Sequence, residues 1–350
     1  MRKIIQRLRL LLCTVLGAAT GLAGAAADTA GPDIESTSRA LQRASDAVVG
    51  LRALAGEDAP SAATLGRERQ GSGVVIGADG LVLTIGYLVL EADQVMLTTD
   101  DGRDVPARVV AYDLATGFGL VQALVPLRLA PVPLGEVGAP LSAAAAGDKR
   151  TPLLVMSGGE DGAISATHLV SRRAFAGYWE YHIEGALFTA PPHPDHSGAG
   201  LFNEHGELLG IGSLFVADAL GPGQPRLPGN MFVPVDLLKP ILGELRQSGS
   251  SRASTRAWLG MNCVEFEGAL RVLRVAEDGP ADLAGVLPGD RVLSIDATPV
   301  AGLAPLWQNL WADRRAEREV LLDVERGGEK MTLRLQSVDR AKTLRRAPGV

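Results

Sequence analysis

The sequence predicts a mainly β protein of two domains behind an export leader. Three observations carry that expectation: short β-branched runs broken by Asp-Gly-type turns, a Ser-rich break near residue 250, and a basic start followed by an apolar run. The chain has 350 residues, room for two or three domains, with 46% apolar and 21% charged residues. A net charge of −6 sets nucleic acid aside as the main partner. Two cysteines, Cys13 and Cys263, are too few for a disulfide scaffold. No Cys/His spacing suits a zinc finger, and no metal or cofactor is expected.

The elements follow in order. Arg2, Lys3, Arg7 and Arg9 precede an apolar run over 10–23, and Ala25-Ala26-Ala27 offers a small-residue cleavage site before Asp28. Residues 1–27 therefore read as a signal peptide, residues 28–39 as a polar lead, and the exported chain as carrying no membrane span. The exported chain has a net charge of −10, because the leader holds four cations and no acid. It retains one cysteine, Cys263, expected as a small buried apolar side chain. A helical or extended segment is expected over 40–54. Hairpins follow around Asp79-Gly80, around Asp100-Asp101-Gly102 and around Asn203-Glu204-His205-Gly206, a pattern that suits a barrel or sandwich. Leu237, Leu238, Ile241, Leu242 and Leu245 share one helical face behind a capping Asp236. Residues 248–255 read as a flexible linker between a large β domain (40–247) and a smaller one (256–338), with 339–350 as a solvated tail. Trp307 and Trp311 lie four apart on a helix over 303–314, and either groove lining or core packing suits them. Arg314, Arg315 and Arg318 read as a solvated face.

Several motifs resemble the HtrA/Deg family of exported trypsin-like serine proteases with a C-terminal PDZ domain. Gly71-Ser72-Gly73-Val74-Val75-Ile76 with Asp79-Gly80 looks like its opening hairpin. His196-Ser197-Gly198-Ala199-Gly200-Leu201 looks like its nucleophile loop. Gly279-Pro280-Ala281-Asp282 with Leu287-Pro288-Gly289-Asp290 matches the PDZ signature. The resemblance implies a chymotrypsin/trypsin-like double β-barrel followed by a PDZ domain. It also implies that Trp258-Leu259-Gly260-Met261 forms the loop that captures a peptide's terminal carboxylate. Relatives trimerise through N-terminal aromatic residues; residues 28–70 contain none, so the oligomeric state stays open.

The catalytic positions implied by the resemblance depart from it. Tyr87 stands at the histidine position, Gly117 at the aspartate position and Asp195 at the glycine that supplies an oxyanion-hole N–H; Ser197 alone is retained. A phenol with a pKa near 10 is a poor base at neutral pH, and a serine without a base stays a weak nucleophile. Glycine cannot orient a base, and a carboxylate at 195 opposes a developing oxyanion. His193 and His196 beside Ser197, with His182 upstream, offer a substitute base or metal ligand in principle; a polar surface loop is the simpler reading. The expectation is an exported, periplasmic pseudoprotease that binds polypeptide C-termini or unfolded envelope proteins. An active endopeptidase with an atypical base, and a structural subunit of an envelope complex, are the alternatives.

Overall fold

The computed structural model describes residues 34–137 and 152–345; the expected signal peptide lies outside the described residues. Helix α1 (Ile34–Asp46) leads into β1 (Val48–Ala55), so the segment expected as helix or strand contains both. The switch falls where Val48-Val49 begins, because these side chains enter the barrel and their backbone pairs with β2 (Glu68–Val75). A single helical turn, α2 (Ala62–Leu65), separates β1 from β2. Strands β3 (Leu81–Ile85), β4 (Ala92–Thr98), β5 (Asp104–Tyr112) and β6 (Phe118–Ala123) complete a closed barrel in the order β1-β2-β3-β6-β5-β4. The expected hairpins are present: Val74 faces Leu83 across Asp79-Gly80, and Leu97 faces Val105 across Asp101-Gly102.

A second closed barrel contains β7 (Leu153–Met156), β8 (Ile164–Gly177), β9 (Tyr181–Ala190), β10 (Gly200–Phe202), β11 (Leu208–Val216) and β12 (Gly229–Pro234). Closure removes exposed strand edges and buries Phe118 in one barrel and Phe188, Phe202 and Phe232 in the other. The expected helix behind Asp236 is broken. Val235–Leu237 forms a 3-10 turn, and α3 (Leu242–Ser248) starts only after Pro240. Proline lacks an N–H and disfavours helix at the residue before it. Asp236 does not cap; its carboxylate meets Lys239 at 3.0 Å.

The segment expected as a flexible linker is packed. Ser251 and Ser254 are buried, and both hydroxyls donate at 2.5 Å to the carboxylate of Asp113 in the first barrel. Beyond it lie β13 (Ala257–Trp258), β14 (Met261–Phe266), β15 (Ala269–Val275), the short α4 (Pro280–Leu283), β16 (Arg291–Ile295) and β17 (Thr298–Pro299). Helix α5 (Leu303–Ala312), β18 (Glu319–Arg326), β19 (Glu329–Gln336) and β20 (Val338–Asp339) follow. The main sheet runs β14-β15-β16-β18-β19, with α5 across it. Cys263 and Trp307 are fully buried in this core, as a small apolar side chain and as core packing respectively. Arg318 departs from the solvated face: its side chain is buried and meets Asp296 at 2.7 Å. Among the described residues no helix is long and apolar enough to cross a membrane.

Candidate functional site

Ser197 sits in the loop between β9 and β10, held from both sides. Its carbonyl accepts from the Ser72 N–H of β2 at 2.9 Å, and the next N–H, of Gly198, donates to the Gly212 carbonyl at 2.9 Å. A β-carbon on Gly198 would lie 2.0 Å from the Ser72 carbonyl oxygen, so a side chain there cannot fit. The nucleophile loop is therefore built tightly between the two barrels, whatever chemistry it serves.

Tyr87 enters from the 3-10 turn Gly86–Leu88 that follows β3. Its hydroxyl lies 2.8 Å from Ser197 Oγ and 2.9 Å from the Ser213 carbonyl oxygen. A carbonyl can only accept, so the phenol proton goes to Ser213, and the Ser197 hydroxyl donates to the phenol oxygen. That oxygen removes a proton only as phenolate. Burial pushes the Tyr87 hydroxyl up to about 12, the hydrogen bond from Ser197 only partly opposing it.

Gly117 lies in the turn between β5 and β6 with φ +79°, a left-handed backbone that glycine adopts freely. The space beside it is taken. Tyr181 reaches across from β9, donates its hydroxyl to the Thr116 carbonyl at 2.8 Å, and would stand 2.7 Å from a β-carbon on Gly117. Burial raises the Tyr181 hydroxyl further still, so it supplies neither charge nor base.

Asp195 is exposed on the rim of a cleft of about 370 Å³ that also touches Ser197, Arg52, Glu160 and Asp161. The cleft therefore carries three carboxylates and one guanidinium on its lining. The neighbouring histidines have other partners. His193 belongs to no surface loop: it is buried, its ring lies 2.8 Å from Ser165 Oγ and 3.1 Å from Ser157 Oγ, and burial lowers its pKa. His196 turns its Nδ1 to the Pro194 carbonyl at 3.0 Å, and His182 lies 3.6 Å from Glu184. Among the described residues no group of His, Cys, Asp and Glu is arranged to hold a metal.

The second predicted site holds an unexpected side chain. The N–H groups of Leu259, Gly260 and Met261 converge on Oε1 of Glu180, at 3.2, 2.8 and 3.2 Å. Gly260 reaches this geometry at φ +76° with the Trp258 ring 3.1 Å from its missing β-carbon. Trp258 itself pairs with Val338 in β20 and lies under the Arg340 guanidinium. Glu180 comes from the turn between β8 and β9 and adopts φ +56°, strained for a residue with a side chain. The sequence gives no sign of it, because an acidic residue at a hairpin tip is an ordinary solvated one.

Burial pushes the Glu180 carboxyl up to about 7, opposed by Arg340 and the three N–H groups; Arg256, Tyr112, Tyr181 and Cys263 complete its charged and titratable surroundings. Its ordinary value is 4.5, so the docked form binds a proton more tightly than the free side chain. The contact is then strongest below pH 4.5 and weakens as pH rises through about 7. Protection factors of the Gly260 amide, measured by hydrogen exchange, are expected to fall across that range. A constant protection factor would count against the burial of this carboxyl.

The fold and the two sites define a trypsin-like peptidase domain joined to a PDZ domain. The description "Trypsin-like peptidase domain" matches residues 71–211, and "PDZ domain" matches 257–336. This pair of domains, in this order, is what the chain shares with HtrA-type relatives. The chain is 28% identical over 300 residues to a probable periplasmic serine endoprotease DegP-like of Ectopseudomonas mendocina, covering 77% of this chain and 58% of that protein. It is 28% identical to the putative serine protease HhoA of Synechocystis, covering 77% of this chain and 70% of that one. The chain thus spans somewhat over half the length of the DegP-like relative. The solved structure of the HtrA-type protease AlgW with tripeptide shares the fold, with a TM-score of 0.51 and 21% identity over 89% of this chain and 98% of that one.

Proposed function

We propose that this chain is an exported, periplasmic HtrA-type pseudoprotease that binds polypeptides through its PDZ groove. One observation carries the reading: Ser197 Oγ lies 2.8 Å from the hydroxyl of a neutral phenol, Tyr87, in the place where a base would stand. With that hydroxyl pushed up to about 12, roughly one phenol in a thousand is ionised at pH 9, too few to activate the serine. Gly117, with its space filled by Tyr181, and Asp195 at the cleft rim support the same reading. The intact loop around Ser197 supports a retained polypeptide-binding cleft rather than a collapsed one. The relatives' names, periplasmic serine endoproteases among them, support the location and the polypeptide partner.

The test is labelling with a fluorophosphonate probe and hydrolysis of unfolded casein between pH 6 and pH 10. Both are expected to match a Ser197→Ala variant throughout, with no rise towards alkaline pH. Labelling or cleavage that disappears in Ser197→Ala establishes an active endopeptidase instead.

A further inference from the structure

We propose that the turn between β8 and β9 is a built-in ligand of the PDZ groove, with the Glu180 carboxylate standing where the terminal carboxylate of a bound peptide stands. A free C-terminus then enters only by expelling it. The proposal rests on the polypeptide-binding reading above and adds what controls it.

The contact reproduces strand-addition recognition at each of its three elements. The loop donates three N–H groups to one carboxylate oxygen of Glu180. Two residues earlier, the Tyr178 carbonyl accepts from the Cys263 N–H of β14 at 3.0 Å, as a peptide strand laid along that edge does. One residue before that, the Gly177 carbonyl accepts from Trp307 Nε1 at 2.8 Å, on the helix α5 that walls the groove. Gln308 of the same helix donates to Glu184 at 3.2 Å on the strand that leaves the turn. An interface formed only by packing needs none of this convergence on one oxygen. The strained φ of Glu180 is what such seating requires of the turn. A ligand tethered within the same chain acts at an effective concentration in the millimolar range, so it competes with any free peptide of ordinary affinity.

The experiment uses the chain without its first 27 residues, as wild type, Glu180→Ala and Glu180→Asp. The probe is a pool of fluorescein-labelled heptapeptides with random, free C-termini; the same pool with amidated C-termini is the control. Amide hydrogen exchange is followed at Leu259, Gly260, Met261 and Cys263. Glu180→Ala is expected to retain at least about tenfold more of the free-acid pool, to leave the amidated pool unchanged, and to speed exchange at the four amides. Glu180→Asp keeps the carboxylate on an arm one methylene shorter, so it is expected to fall between the other two, and it carries the test should the alanine variant fail to fold. Unchanged exchange in the variants overturns the docking. Faster exchange with the free-acid pool retained equally by all three proteins overturns the competition. Faster exchange with neither pool retained by any protein keeps Glu180 as the groove's ligand but overturns both the competition and the polypeptide-binding reading.

Discussion

Replacing Tyr87 by His and Gly117 by Asp is expected to leave casein hydrolysis at background, although the pair supplies a base and an acid in the family's order. The obstacle is Tyr181. A β-carbon at 117 would lie 2.7 Å from its hydroxyl, inside van der Waals contact, and the backbone there has φ +79°. Aspartate tolerates a left-handed backbone better than most residues, so the blocked space is the larger problem. Adding Tyr181→Phe removes the offending oxygen while keeping the ring. It leaves the Thr116 carbonyl without its donor, at a cost of about 1 kcal/mol. Activity is expected to appear first in this triple variant. Adding Asp195→Gly then removes the rim carboxylate and frees the backbone at the position that the family resemblance gives to the oxyanion hole. A single oxyanion-hole donor is typically worth on the order of 10²–10³ in rate, which bounds the further gain. Initial rates of casein cleavage across the series decide the matter. A double variant as fast as the quadruple one would show that neither Tyr181 nor Asp195 obstructs the site.

Asp113→Ala is expected to produce a large loss of stability. The carboxylate is fully buried and accepts five hydrogen bonds: from the Thr116 N–H and hydroxyl, the Ser251 N–H and hydroxyl, and the Ser254 hydroxyl. Truncation strands those donors without water to replace the acceptor. Each unsatisfied buried donor costs roughly 1–3 kcal/mol, and relaxation of the serine segment recovers part, so a net loss of about 4 kcal/mol is expected. For domains of this size that corresponds to a fall in Tm of about 8–16 °C by calorimetry. The 248–255 segment should also become sensitive to trypsin at Arg252, because the bonds that hold it are gone. An unchanged Tm with an uncut segment would show that the serines pack there without Asp113.

The two barrels and the PDZ domain were legible in the sequence. Short β-branched runs and Asp-Gly turns act over a few residues, so the hairpin around Asp79-Gly80 was legible without tertiary information. The side-chain chemistry at positions 87, 117 and 195 was legible too, because a phenol, a hydrogen and a carboxylate have the same functional groups wherever they stand. The helix behind Asp236 was misread for a local reason: the apolar spacing outweighed Pro240, whose ring breaks the helix that the spacing suggests. His193 was misread because its loop is polar in sequence, while Ser157, Ser165 and Asn230 gather around it only in the folded barrel.

Tertiary structure alone decided which groups meet. Tyr87 and Ser197 are 110 residues apart, Tyr181 and Thr116 are 65 apart, Ser254 and Asp113 are 141 apart, and Glu180 lies 80 residues before Gly260. Each of these contacts joins a barrel to the other barrel, to the connecting segment or to the PDZ domain, where no periodicity of the chain constrains the pairing. Local pattern fixes which face of a strand is buried and where a turn falls. The partner that a side chain finds on the far side depends on how complete, already folded units dock, and on which polar groups would otherwise be left without water.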